Sequence, residues 1–563
     1  MEETSRNSNR GEFYTPEHVS RLLYKLTQTY LGENFNNDYN IWDNCWGTGN
    51  LTKYFDFEKL FISTLQKFDL RKHKANNKNA IEKFQYDFVN SDVDQLISPQ
   101  AMWMGETELP ETLDTILRDK DGGKMLFYIN PPYVATGIYG TNNTDTREGQ
   151  TDSKMKRIMQ EHKMQSACDQ AYAQFLYKIA LMKKAYENKD ISIAIICPPL
   201  FLTAQTYANF REVFLNEFEY QGGAIFRAGE FEGLSNNWAI SIQIWKPGET
   251  KDKNNFKFDV YEMNEDTNEF EKTEEKTMYN LDGQRICMDW AKDELDSHRN
   301  IPALYTLSSG TKVSNKKQVF WQEGSLGYFF YKGNNIYHNE QECGILSLPY
   351  GDGSGYSILK ENFDKTMSIF LARRAFSRYG ANWKNDKDEY CIPDVHSEAY
   401  KVLTANSMVY GLFNGSTCVS SMYITNEDGS IYEVPNNFHH ISAEKTIELF
   451  NKAGVEIKGP GKFEDRYMVE KFNNAINSGL ITPEGMAVWQ RYEQLFIETL
   501  PLRAEFFNGR YPEYQVENWD AGFYQLKWLI KDYDIEKFKE FQLMYRQYEE
   551  SIRHLVHECG FLK

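Results

Sequence analysis

The chain has 563 residues, of which 41% are hydrophobic and 15% aromatic, too apolar for a disordered chain and long enough for two to four domains. Its formal net charge of −18 argues against a general polyanion binder, so any nucleic-acid contact must come from local clusters of Lys and Arg. No apolar run reaches the roughly 20 residues of a membrane span, the start is polar, and the eight scattered cysteines form no Cys-x-x-Cys pair. A reducing, cytoplasmic setting with no metal site is therefore expected.

Residues 11–16 read Gly-Glu-Phe-Tyr-Thr-Pro, and Val19, Leu22, Leu23, Leu26 and Tyr30 follow at helical spacing. Thr15 suits the N-cap of that helix and Pro16 its first position. A short strand then ends at Asp43, and Gly47-Thr48-Gly49 turns the chain into a helix carrying Leu51, Tyr54 and Phe55. Glycines at a strand-to-helix turn let a ligand approach the backbone, and an acid such as Asp43 suits an amine-bearing ligand; a plain tight turn uses the same residues. A second strand over 59–66 leads to a basic, Asn-rich loop with Arg71, Lys72, His73, Lys74 and Lys78, either a solvated face or a nucleic-acid contact. A third strand over 84–88 contains Asp87, which could accept from an adenine amine or cap the next turn.

The densest chemical signal lies at 124–133. A buried strand, Lys-Met-Leu-Phe-Tyr-Ile, runs into Asn130-Pro131-Pro132-Tyr133. Two prolines cannot continue a sheet ladder, so a rigid extended tetrapeptide is set at the carboxyl end of a strand, where open α/β sheets bind ligands. The Asn130 carbonyl, the peptide oxygens and the Tyr133 ring suit a planar group bearing an NH2. Residues 137–149 are rich in Gly, Asn and Thr and run toward Lys154, Lys156, Arg157 and Lys163, the pattern of a lid with a basic edge or of plain surface. A helix over 169–186, a strand over 191–196 and a strand pair at 223–226 and 239–245 complete an α/β alternation, and the polar stretch 246–253 marks a boundary. Beyond it, 251–440 reads as a second, α+β domain. There, Arg373, Arg374 and Arg378 interleave with Phe376 and Tyr379, a pattern suited to nucleic acid or to an amphipathic helix. Residues 441–563 read as a mainly helical tail.

Taken in order, Phe13-Tyr14-Thr15-Pro16, Asp43 with Gly47-Thr48-Gly49, Asp87 and Asn130-Pro131-Pro132-Tyr133 resemble the N6-adenine DNA methyltransferases of the γ arrangement, over about residues 11–245. The resemblance implies a Rossmann-like mixed sheet with helices on both faces in residues 1–250, a target-recognition region at 251–440 and a helical region at 441–563. It implies S-adenosylmethionine as cofactor, contacted by Tyr14, Thr15, Pro16, Asp43, Gly47, Thr48, Gly49, Asp87 and Asn130. Gln66 stands where the family usually has a ribose-binding acid, with Asp69 nearby. Asn130, Pro131, Pro132 and Tyr133 would hold a flipped-out adenine, and Arg373, Arg374, Arg378, Lys154 and Arg157 would contact double-stranded DNA. Restriction-modification, phage defence or orphan methylation is the implied setting, and the acidic charge leaves room for a protein partner subunit. Methyl transfer to RNA or to a protein amide nitrogen, or a non-catalytic acidic scaffold, are the alternatives.

Overall fold

The computed structural model describes residues 14–98, 106–133, 153–314, 317–339, 342–376, 380–458, 463–510 and 519–563. The chain forms two compact units, Met1–Gly283 with Tyr379–Glu389, and Gln284–Arg378 with Tyr390–Lys563.

The first unit is built on a nine-stranded mixed sheet in the order β3-β2-β1-β4-β5-β7-β6-β8-β9. These strands are β1 (Asn40–Asp43), β2 (Leu60–Thr64), β3 (Glu82–Gln85), β4 (Met125–Ile129), β5 (Ile191–Cys197), β6 (Phe218–Arg227), β7 (Ala239–Pro247), β8 (Asn255–Asn264) and β9 (Glu269–Tyr279). Strands β3, β2, β1, β4 and β5 are parallel, and β7 runs antiparallel between β5 and β6. This is the Rossmann-like mixed sheet the sequence implies. The four residues of β1 and five of β4 are all buried, as expected for parallel strands covered on both faces. On one face α1 (Glu17–Leu31) lays Val19, Leu22 and Leu23 against Ile41, Ile62 and Tyr128. On the other, Trp42, Phe61 and Phe127 pack with Leu176 and Ala180 of α3 (Ala171–Ala185), beside α2 (Lys154–Glu161). The chain order reverses between β1 and β4, so a crevice opens at their carboxyl ends.

Two boundaries differ from the sequence reading. The polar stretch 246–253 is not a linker. Thr250 is buried, its N–H bonds the Leu215 carbonyl at 2.8 Å and its hydroxyl bonds the Phe218 carbonyl at 2.7 Å. The sheet then continues into β8, which pairs parallel to β6 and buries Phe256, Phe258 and Val260 at alternate positions. The unit also recovers a distant piece of chain. Trp383 is buried in its core, Asp388 pairs with Lys276 at 2.8 Å, and the Tyr279 hydroxyl donates to the Glu389 carbonyl at 2.7 Å.

In the second unit, much of 284–440 shares one hydrophobic core with the expected helical tail rather than forming a separate region, and Leu307, Tyr328, Leu346 and Met422 belong to a smaller second cluster. Residues from Cys287 through Phe370 of α4 (Phe363–Arg374) and Val409 of α5 (Glu398–Phe413) meet Val488 of α6 (Pro483–Thr499), Leu526 of α7 (Phe523–Tyr533) and Phe541 of α8 (Ile535–Ile552) there. A four-stranded sheet formed by Tyr356–Ile358, Gly327–Tyr331, Cys343–Leu346 and Thr417–Cys418 lies in the same unit. Among the described residues no helix is long and apolar enough to cross a membrane.

Candidate active site

Trp42 lies opposite Phe127 in the sheet, so Asp43 and Asn130 leave adjacent strand ends at the crevice. The helix expected to use Thr15 as its N-cap instead begins at Glu17 with no side-chain cap. Thr15 is buried and its hydroxyl accepts a 2.8 Å hydrogen bond from Asn130 Nδ2, joining motifs 115 residues apart. Tyr133 donates its hydroxyl to Asn130 Oδ1 and sets its ring edge-on to Phe231 at 5.9 Å. The Asn130 carboxamide is therefore oriented from both ends. Burial holds the Tyr133 phenol well above its ordinary pKa, keeping it a donor.

Asp43 is fully buried, accepting from the Cys45 N–H at 3.3 Å and the Thr52 hydroxyl at 3.5 Å. Desolvation pushes its carboxyl up to about 7, and these two contacts offset the shift only in part. Beside it, Asn44 is buried, and neither its amide nitrogen nor its oxygen is hydrogen-bonded among the described residues. Such orphaned groups are costly without a partner, and a polar ligand supplies one.

The glycines act differently from each other. Gly47 has φ +52°, and a Cβ there would come within 4.0 Å of the Tyr14 ring, so the turn lies close to the first motif. At Gly49, with φ +76°, a Cβ would stand 2.6 Å from Trp46 Nε1. The Trp46 indole beneath it leaves no room for a side chain. The helix expected after Gly49 is only a run of turns.

Asn76 and Asn77 brace this turn. Asn76 Nδ2 donates to the Thr48 carbonyl at 2.8 Å, and Asn77 Oδ1 accepts from Trp46 Nε1 at 3.0 Å and shares the single Thr52 hydroxyl proton, at 3.2 Å, with Asp43. Sequence reasoning placed them in a loop of basic and Asn residues. Nothing in their spacing signals a contact made 28 residues away with Thr48.

The remaining candidates stand at the carboxyl ends of β2 and β3. Gln66 is exposed at the start of a short helix, while half-buried Asp69 accepts from the Thr64 hydroxyl at 3.1 Å. Asp87 accepts from the Val89 N–H at 3.3 Å and the Asn90 side chain at 2.8 Å, so it shapes the turn after β3. Pro16 precedes α1 with extended backbone, and Pro131 is buried beside half-buried Pro132.

The basic candidates divide. Arg373 is corrected: it is fully buried, with its guanidinium 3.0 Å from the Gly333 carbonyl, 3.2 Å from the Lys332 carbonyl and 3.3 Å from Asn339 Oδ1. It lies between the Tyr331 and Tyr390 rings, 5.8 and 5.7 Å from their centres. A guanidinium committed in this way cannot reach a phosphate. Arg374 is half-buried and donates to the Asn339 carbonyl. Arg378, Phe13 and the stretch 137–149 lie outside the described residues. Lys154 is exposed and pairs with Asp94 at 2.5 Å, Arg157 is exposed, and Lys156 is buried against Asp169 at 2.8 Å, away from the basic edge expected for it.

No family model and no curated protein matches this chain. Among solved structures it is similar to a type I restriction-modification methyltransferase subunit from Streptococcus thermophilus, at 16% identity and TM-score 0.28, over 47% of this chain and 51% of that one. It is also similar to the type IIG restriction endonuclease BpuSI, at 16% identity and TM-score 0.28, over 45% of this chain and 28% of that one. A third is the type I restriction enzyme EcoKI M protein, at 12% identity and TM-score 0.25, over 44% of this chain and 48% of that one. The chain therefore spans less than two thirds of each of these proteins, and likenesses this low say nothing about its activity.

Proposed function

We propose that the first unit is an S-adenosylmethionine-dependent methyltransferase acting on N6 of adenine in double-stranded DNA. The observation that carries this reading is the Thr15–Asn130 hydrogen bond at the carboxyl end of β4, which brings the Tyr-Thr-Pro and Asn-Pro-Pro-Tyr segments together beside Asp43 and the glycine turn. The buried Asp43 carboxyl and the orphaned Asn44 carboxamide fit a ligand rich in amine and hydroxyl donors. Tyr14, Thr15, Pro16, Asp43, Gly47, Thr48 and Gly49 would form the cradle, Asp87 would accept from the cofactor's adenine amine, and Gln66 or Asp69 would face its ribose. When bound, the cofactor supplies an electrophilic methyl group on a sulfonium.

The chain's own part is alignment. Asn130 Oδ1 and the Pro131 carbonyl would accept the two N–H bonds of the target amine, drawing its lone pair out of ring conjugation. Tyr133 would stack on the base, which must leave the duplex to reach the crevice. Direct transfer then needs no covalent nucleophile, and its barrier falls by positioning and by acceptors preset for the transition state. Lys154 and Arg157 would meet the DNA backbone, the second unit would read flanking sequence, and a protein partner subunit suits the acidic remainder. The test is base-modification sequencing of DNA from cells expressing the chain, beside calorimetry with S-adenosylmethionine. Unmodified adenine throughout, or no heat of cofactor binding, would overturn the assignment.

A further inference from the structure

The second unit contains a cavity of about 380 Å3 where α5, α7 and α8 meet. That lies within the range of small-molecule pockets, roughly 300–1,000 Å3. Its wall is aromatic: Phe413, Phe523, Phe541 and Tyr545 line it, and the first three pack on one another with ring centres 5.5 to 5.8 Å apart. The Tyr545 hydroxyl is already committed, donating to the Tyr410 carbonyl at 2.9 Å and accepting from Asn414 at 3.1 Å, so the ring is held in place. Lys527 and Arg546 also line it. Neither forms an ion pair among the described residues; Lys527 is half-buried and Arg546 exposed.

We propose that this cavity binds a nucleotide, with its base on the aromatic wall and its phosphate held by Lys527 and Arg546. A purely apolar occupant would leave both cations without a counter-charge, and an inorganic anion would leave the aromatic wall uncovered. A planar ring carrying an anionic group satisfies both. Lys527 is partly withdrawn from water, its ammonium 4.3 Å from the centre of the Tyr524 ring, and burial lowers its pKa, so a bound anion restores what desolvation costs. The ligand can be a free nucleotide or one residue of a strand, since both present the same base and phosphate.

The experiment uses the full chain and thymidine monophosphate, chosen because it resembles neither S-adenosylmethionine nor a target adenine. Calorimetry should show saturable binding that weakens at least about tenfold in K527Q/R546Q, the loss expected for hydrogen bonds to a charged group. Thymidine should bind weakly and equally to both proteins, and inorganic phosphate alone should not bind. Arg546 is exposed, so R546Q serves alone if the double variant does not fold. A short oligothymidylate separates the sources: binding tighter than the mononucleotide, with the same dependence on both cations, assigns a strand, and equal binding assigns a free nucleotide. Absence of saturable binding by either probe, or binding indifferent to the substitutions, overturns the proposal. Neither result depends on cofactor binding in the first unit, so the two readings fail separately.

Discussion

Replacing Thr15 by Val tests whether the Thr15–Asn130 bond serves catalysis. Valine keeps the shape and β-branching of threonine but cannot accept from Asn130 Nδ2 across the present 2.8 Å. A side-chain hydrogen bond of this kind contributes about 0.5–1.5 kcal/mol net. If the bond holds the carboxamide in the geometry needed by the transition state, the upper figure corresponds to about a tenfold loss of kcat. Thr15 is buried, with its hydroxyl turned to Asn130, so S-adenosylmethionine affinity should change by less than about threefold, under 0.7 kcal/mol. T15S restores the hydroxyl and should recover most of the rate. The assay is transfer of a radiolabelled methyl group to DNA from a host lacking adenine methylation, with cofactor affinity measured separately by calorimetry. Wild-type kcat in T15V, or a T15S rate as low as that of T15V, would refute the positioning role.

Asn130→Ala removes the amine acceptor itself and should lower kcat by about 100-fold or more while the variant still binds cofactor; near-normal methylation would end that assignment. Gly49→Ala forces a Cβ to within 2.6 Å of the Trp46 indole at φ +76° and should destabilise the first unit by about 1–3 kcal/mol, read as a lowered melting temperature; an unchanged melt would show that the indole moves freely. The Asp43 carboxyl is raised to about 7 in the fold against 3.8 unfolded, so the folded chain holds the extra proton between those values and loses stability as pH rises through them. D43N should flatten that part of the melting-temperature profile, and parallel profiles for the two proteins would contradict the shift. Arg373→Met should destabilise the second unit by about 2–4 kcal/mol through the loss of a buried guanidinium's bonds to three acceptors; an unaltered melt with a shallower salt dependence of DNA binding would return Arg373 to the surface.

The strands and their order of appearance were legible because buried parallel strands are short, continuous apolar runs ended by turn residues, as at 125–129. The Asn-Pro-Pro-Tyr stretch was equally plain, since two prolines dictate where the backbone leaves the sheet. What could not be read were choices between hydrogen-bond partners. Thr15 has the sequence of an N-cap, yet its acceptor goes to a residue on another strand end. Asn76 and Asn77 look like solvated loop and support the glycine turn. The expectation for Arg373 failed for a related reason: composition cannot distinguish a guanidinium facing solvent from one facing Gly333 and Lys332 carbonyls. The boundary at 246–253 was misplaced because polar residues mark loops whether or not those loops are tethered. The alternating Phe256, Phe258 and Val260 already carried the period of another strand.

The return of Tyr379–Glu389 to the first unit has a consequence for the order in which the protein is made. Synthesis runs from the amino end, so when Gly283 has been added the nine strands exist but Trp383, Asp388 and the Glu389 carbonyl do not. Until then the Lys276 ammonium and the Tyr279 hydroxyl await their partners, and the core site of Trp383 is unfilled. The first unit therefore cannot close while it is the only part of the chain outside the ribosome. All of the second unit's first stretch, Gln284–Arg378, must emerge before it does. A gene fragment stopped at residue 283 would yield the sheet without this last closure, and supplying 379–389 as a separate peptide would be the way to complete it.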